Sequence, residues 1–273
     1  MAVDKFRASD GVGLAYYIDD YTDPWRQADT LLLLHAAVGH ARRFYAWVPG
    51  LCRHYRVVRL DLRGHGESEV PPASSPLDMD RLVDDVTELL DHLGVKSCHI
   101  VGNSAGGYIA QNLAMKSPDK VKSLMLFGST AGLKNSQAAS WLPRIAKEGL
   151  RGFFAATIAD RLPLDSVPKG LPGWFIDEAA KNDPAFITRF VGLMSSLDWS
   201  DRLAEIKCPT LIVMPGGETV GSIRNYDVMI ERIPDILAIT YEGMPHNICD
   251  AVPDRCVTDV LAFLRWRFGL PAC

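Results

Sequence analysis

Several protein classes are excluded by what this 273-residue chain does not contain. It has no basic run and no Arg/Lys cluster interleaved with aromatics. Its formal net charge is -4, so nucleic acid is not an expected partner. No apolar run is long enough to span a bilayer, and no membrane association is expected. The first residues, Met1-Ala2-Val3-Asp4-Lys5-Phe6-Arg7, lack the apolar stretch of a secretory signal, so a cytoplasmic location is the expectation. Six cysteines (Cys52, Cys98, Cys208, Cys249, Cys256 and Cys273) are scattered without Cys-x-x-Cys spacing, and no His-x-x-x-His occurs. Free thiols are therefore expected, with no metal site. Internal repeats and low-complexity tracts are absent as well.

What the chain does contain is material for a sizeable core. It is 48% hydrophobic and 23% charged, an ordinary balance for a globular protein. Short apolar runs alternate with longer helical patterns. Leu14–Ile18, Thr30–Leu34, Arg56–Leu60, Cys98–Val101, Val121–Phe127, Thr210–Met214 and Leu237–Tyr241 read as strands. Thr30–Leu34 is almost wholly apolar, as expected of a strand buried on both faces. Leu82, Val83, Val86, Leu89, Leu90 and Leu93 follow helical spacing, and that helix closes at Gly94. Later helices run through Val228–Ile230 and through Val257–Leu264. Strands alternating with helices predict a mainly parallel α/β sheet covered on both faces.

Residues 133–200 break that rhythm. They carry no strand signal, only helical patches punctuated by proline and glycine. An insertion of that size between two strands reads as a helical lid. The expected organisation is a core of residues 1–132 and 201–273, with 133–200 as the cap.

The strongest local signal is Gly102-Asn103-Ser104-Ala105-Gly106. A bare Gly-x-Ser-x-Gly also occurs in ordinary turns. Here an apolar strand precedes it and a helix-compatible run follows, which is the context of a nucleophile elbow. Glycines two residues away on either side spare a tight strand-to-helix turn from side-chain clashes. The helix N-terminus behind Ser104 supplies N–H groups and partial positive charge where an oxyanion would form.

A serine nucleophile needs a base, and the base needs a carboxylate to orient it. His246 is the only histidine after the elbow, in a loop just past the strand ending at Tyr241. The acid is expected after the preceding strand. Glu218 is the first carboxylate there, in a Gly-rich turn, while the next, Asp227, falls in the following helix. A second oxyanion donor is expected in the loop His35-Ala36-Ala37-Val38-Gly39-His40, with Ala37 N–H joining Ala105 N–H. His35 reads as a structural hydrogen-bonder. Asp61-Leu62-Arg63-Gly64-His65-Gly66-Glu67-Ser68 reads as a tight turn bracing the elbow, with Asp61 and Arg63 satisfying one another or nearby backbone.

Taken in order, the oxyanion loop, the Asp61–Ser68 turn, the Ser104 elbow, a helical insertion, Met214–Glu218 and His246 resemble the α/β-hydrolase superfamily along nearly the whole chain. The resemblance implies an α/β-hydrolase fold: an eight-stranded, mostly parallel sheet with a helical cap inserted after the sixth strand. Ser104 separates the chain from the epoxide-hydrolase and haloalkane-dehalogenase branches, which carry aspartate at that point. Two departures stand out. Relatives usually have Asp where this chain has Glu218, and His-Gly where it has His35-Ala36. Some relatives place the acid after the strand before the cap, where this chain reads Gly128-Ser129-Thr130.

Within the superfamily, Trp141-Leu142-Pro143-Arg144-Ile145 and Ser195-Ser196-Leu197-Asp198 are similar to 3-oxoadipate enol-lactonases and small-acid esterases. The Gly-Asn-Ser opening is shared with meta-cleavage C–C hydrolases. The expected activity is cofactor-independent hydrolysis of a small ester or lactone through an acyl-enzyme, with Ser104 as nucleophile, His246 as base and Glu218 as acid. Of the cap cations Arg144, Lys147, Arg151 and Arg161, most read as a solvated lid face and Arg144 is the candidate for a substrate carboxylate, while Trp141 and Trp174 are candidates for an apolar pocket. A C–C hydrolase remains a rival, as does a non-catalytic small-molecule receptor on the same fold. The number of subunits is left open, a homodimer included.

Overall fold

The computed structural model describes residues 3–134 and 136–269. Eight strands form one sheet: β1 (Asp4–Arg7), β2 (Gly13–Asp19), β3 (Thr30–Leu34), β4 (Arg56–Leu60), β5 (Cys98–Asn103), β6 (Val121–Phe127), β7 (Thr210–Pro215) and β8 (Ile236–Tyr241). Their order across the sheet is β1-β2-β4-β3-β5-β6-β7-β8. β1 and β2 pair antiparallel, as do β2 and β4, and every pair from β4 to β8 is parallel.

Six helices belong to the core: α1 (Val48–Leu51), α2 (Met79–His92), α3 (Ala105–Lys116), α7 (Arg224–Arg232), α8 (Ile248–Ala251) and α9 (Pro253–Phe268). Three more, α4 (Ala138–Ala156), α5 (Gly170–Ala179) and α6 (Pro184–Ser196), lie between β6 and β7. This is the α/β architecture the strand–helix alternation predicts.

The central strands are apolar because both sheet faces are covered. Side chains alternate across a strand, so Leu32 and Leu34 of β3 join α2 and α3 on one face. Leu31 and Leu33 join Trp47, Leu51 and the buried side of α9 on the other. α2 begins at Asp78, whose carboxylate accepts from Arg81 N at 2.8 Å, and it ends before Gly94 at φ +65°.

The inserted helices leave and rejoin the sheet at one point. Gly132 and Asp198 form an isolated antiparallel bridge. Lys134 N donates to Leu197 O and Trp199 N to Ala131 O, both at 3.0 Å. Pro143 lies inside α4, and Gly149 at φ 69° and ψ 168° kinks it.

The five cysteines within the described residues are free thiols; Cys273 lies outside them. Among the described residues no group of three or more His, Cys, Asp or Glu could hold a metal. No described helix is long and apolar enough to cross a membrane.

Candidate active site

The order β4-β3-β5 places the loops after β3 and β5 side by side at the C-terminal edge of the sheet, where open α/β sheets build their sites. Ser104 follows β5 directly and adopts φ 50° and ψ -116°, left-handed backbone rare for a residue with a Cβ. Four hydrogen bonds hold it there. Ser104 N donates to Phe127 O at 2.9 Å. Its carbonyl accepts from Ser129 Oγ at 2.8 Å and, in the first turn of α3, from Gly107 N at 2.9 Å and Tyr108 N at 3.1 Å.

The glycines around the elbow are there for space. A Cβ on Gly102 would sit 2.4 Å from Gly107 Cα, and one on Gly106 would sit 2.3 Å from Leu34 O and 2.7 Å from His35 O. The first turn of α3 is thus pressed onto the end of β3, which brings the β3 loop to the elbow. Among the described residues, Ala37 N–H and Ala105 N–H donate to no other group of the chain.

His246 arrives from the loop after β8. Its Nε2 lies 3.1 Å from Ser104 Oγ, and its Nδ1 lies 2.7 Å from Glu218 Oε2. Glu218 sits three residues past β7, and its other oxygen accepts from Val220 N at 2.8 Å and Gly221 N at 3.0 Å. Burial alone would raise the Glu218 carboxyl pKa. The His246 charge, the His246 hydrogen bond and the two backbone N–H groups outweigh that and hold it below the ordinary value. Ser104 and His246 are 8% and 6% exposed, so this hydrogen-bonded chain is largely shielded from water.

The surrounding loops are held by buried polar contacts. Leu62 N donates to His35 Nε2 at 3.0 Å, which leaves the proton on Nδ1, where it meets Ala36 O at 2.8 Å. Burial, with His65 nearby, lowers the His35 pKa well below its usual value, so it stays neutral. Of the two expected arrangements, Asp61 takes nearby backbone rather than Arg63. Asp61 accepts from Ala41 N and Glu67 N, while Arg63 pairs with Asp85 at 2.6 Å and Asp10 at 2.9 Å. The turn therefore braces the β3 loop and α2 rather than the elbow. It also meets α6, because Gly64 has no side chain to strike Phe186.

The candidate pocket residues separate. Trp141 is half-buried beside Phe153, ring centroids 6.1 Å apart. Trp174 stands edge-on to Tyr45 and His40 and lines a cleft of about 1330 Å³ with them, a cleft to which Ser104, His246 and Glu218 do not contribute. Arg144 was the sequence candidate for a substrate carboxylate. Its side chain is 44% exposed and engaged by Glu148 one helical turn away at 3.0 Å, with no contact to Ser104, His246 or Glu218. The sequence reading preferred Arg144 to Arg161, but it is Arg161 that is buried in the inserted segment, against the rings of Phe154, Phe153 and Trp141. No periodic or spacing signal marks it, because its enclosure comes from a different helix.

Residues 29–203 match the model of a family described as alpha/beta hydrolase fold. The chain belongs to that family. It is 30% identical over 216 residues to a 2-hydroxy-6-oxononadienedioate/2-hydroxy-6-oxononatrienedioate hydrolase of Pseudomonas putida, covering 71% of this chain and 72% of that one. A solved hydrolase from Pseudomonas aeruginosa superposes with a TM-score of 0.86 at 28% identity, covering 96% of this chain and 98% of the other. An enol-lactonase from Burkholderia xenovorans also reaches 0.86, at 22% identity over 96% and 99% of the two chains, which is a likeness of fold. Two other relatives are matched over a fraction of their length. The chain spans 31% of a dihydrolipoyllysine-residue acetyltransferase component of an acetoin cleaving system of Pseudomonas putida and 27% of Epoxide hydrolase 4 of Mus musculus.

Proposed function

We propose that this hydrolase cleaves a small carboxylic ester or lactone through an acyl-enzyme on Ser104. The observation that carries the reading is the continuous Glu218–His246–Ser104 chain of hydrogen bonds at 2.7 and 3.1 Å. His246 Nε2 takes the Ser104 proton as Oγ attacks the substrate carbonyl. Ala37 and Ala105 N–H groups receive the oxyanion, each such donor being worth roughly 10²–10³ in turnover. His246 then hands the proton to the leaving oxygen and activates the water that clears the acyl group. Glu218 orients the imidazole and stabilises its charged form. Helices α4 to α6, within residues 133–200, form a cap that selects the small-molecule substrate, over a core of residues 1–132 and 201–273. This chemistry needs no cofactor.

The test is release of p-nitrophenol from acetate and butyrate esters by wild type and Ser104→Ala, with covalent labelling by a fluorophosphonate. Turnover and labelling should both vanish in the variant, with losses on the order of 10⁴–10⁶ in kcat. Unchanged turnover in a folded Ser104→Ala protein would sink the scheme. Likeness to the Pseudomonas putida C–C hydrolase at 30% identity favours a second reading, hydrolysis of a C–C bond beside a ketone. Labelling of Ser104 without turnover of any aryl ester or lactone would favour it.

A further inference from the structure

Four arginines are buried among the described residues: Arg43, Arg59, Arg63 and Arg161. Three of them meet a carboxylate. Arg43 Nε lies 2.9 Å from Asp250, Arg59 lies 2.8 Å from Asp19, and Arg63 holds Asp85 and Asp10. This is the usual rule, since a buried guanidinium without a counter-charge is costly.

Arg161 breaks it. It is 5% exposed, yet no carboxylate of the described residues lies within ion-pair distance. Its Nη1 donates to Thr157 O at 3.0 Å and Thr157 Oγ1 at 2.9 Å. Nε and Nη2 donate to no described group. The rings of Phe154, Phe153 and Trp141 stand 4.8, 5.3 and 5.7 Å from its Cζ, which favours the cation. Burial lowers its pKa to about 10, so it is charged at neutral pH.

Arg161 is tied to the candidate catalytic loop. His246 N donates to Asp160 O at 3.3 Å, and Asn247 N donates to Arg161 O at 3.0 Å. Its charge is favoured at longer range by Asp160 and then Glu218 and opposed by Arg43 and Arg144. A buried cation with two unpartnered nitrogens therefore sits on the stretch of chain that the His246 loop is bonded to. The Nε/Nη2 edge presents two parallel N–H groups, the geometry that takes both oxygens of a carboxylate.

We propose that Arg161 binds a carboxylate carried by the substrate, so the preferred substrates are monoanionic esters or lactones; this rests on the hydrolase reading above. A single cation with one threonine suits a single negative charge. Arg144, exposed and neutralised by Glu148, lacks these properties.

The test compares mono-p-nitrophenyl glutarate with neutral p-nitrophenyl valerate, as a ratio of kcat/KM values. Wild type should favour the anionic ester. Arg161→Gln should lower the ratio about 10–100-fold, the range expected for a hydrogen bond to a charged group. Arg161→Lys, which keeps the charge but not the fork, should lower it by less, and it serves if the Gln variant does not fold. An unchanged ratio, or a wild type that prefers the neutral ester, would overturn the proposal. An unchanged ratio with an altered pH profile on both esters would assign Arg161 to positioning Glu218 and His246 instead. If neither ester is hydrolysed, the ester-hydrolase reading fails by itself. Calorimetry of monomethyl glutarate, a monoanion, with Ser104→Ala then decides about Arg161: binding lost on adding Arg161→Gln supports the site, and binding that is absent or unaffected removes it.

Discussion

Glu218 Oε2 lies 2.7 Å from His246 Nδ1, while Glu218 Oε1 is held by the N–H groups of Val220 and Gly221. The carboxylate is thus clamped on one side by backbone and aimed on the other at the imidazole. Glu218→Gln keeps the shape but presents an amide where the imidazole N–H needs an acceptor. Its kcat on p-nitrophenyl butyrate should fall by about 10³–10⁴, with Ser104 still present. Glu218→Asp should retain more activity than the amide. Equal activity of the wild type and Glu218→Gln would remove Glu218 from the reaction.

The same carboxylate predicts an acid-side stability effect. Its pKa in the folded protein lies below the ordinary value of 4.5. Unfolding therefore takes up a proton in the pH range between the two values. The stabilisation is fully present above about pH 4.5 and is lost as pH falls through the folded pKa. The Tm difference between wild type and Glu218→Gln should be constant from neutral pH to about 5 and shrink in acid. A difference that grows in acid would contradict the assignment.

Gly106 tests the packing of the elbow. A Cβ there would meet the carbonyls of Leu34 and His35 at 2.3 and 2.7 Å, both main-chain atoms that cannot step aside. Gly106→Ala should cost about 2 kcal/mol or more in urea unfolding. It should also lower esterase turnover by shifting Ala105 N–H. A neutral effect on both would show that α3 and β3 are less tightly apposed.

Arg63 and Asp85 form a buried pair, their side chains 0% and 3% exposed. Arg63→Ala removes the bidentate partner of Asp85 and leaves it only Arg81, 3.1 Å away, and should cost about 3 kcal/mol. Burial already raises the Asp85 pKa, against the lowering effect of Arg63. With the partner gone, protonation relieves the penalty, so the deficit of Arg63→Ala should narrow as pH falls. Urea midpoints between pH 4.5 and 7.5 measure this.

Much of this architecture can be read in the chain because its signals are local. β3, β4 and β6 span the same residues as their apolar runs, since each is buried on both faces and bounded by polar turns. The elbow and the order Ser104, Glu218, His246 follow from one motif and from counting strands. β1 was passed over: only Phe6 of its four residues is buried, so an edge strand left no apolar run. Arg63 shows a different gap. Its partners are 22 and 53 positions away, and charge-bearing loops carry no period that pairs them. Arg161 belongs to the same class, because Trp141 and Phe153 reach it from another helix.

The two main-chain hydrogen bonds from His246 and Asn247 to Asp160 and Arg161 join the loop of the proposed base to the stretch between α4 and α5. Any displacement of that stretch would have to lengthen or break bonds on the backbone of His246 and Asn247. The setting of the imidazole against Ser104 is therefore mechanically tied to the inserted segment. A contact that held residues 160–161 in place would hold the imidazole as well.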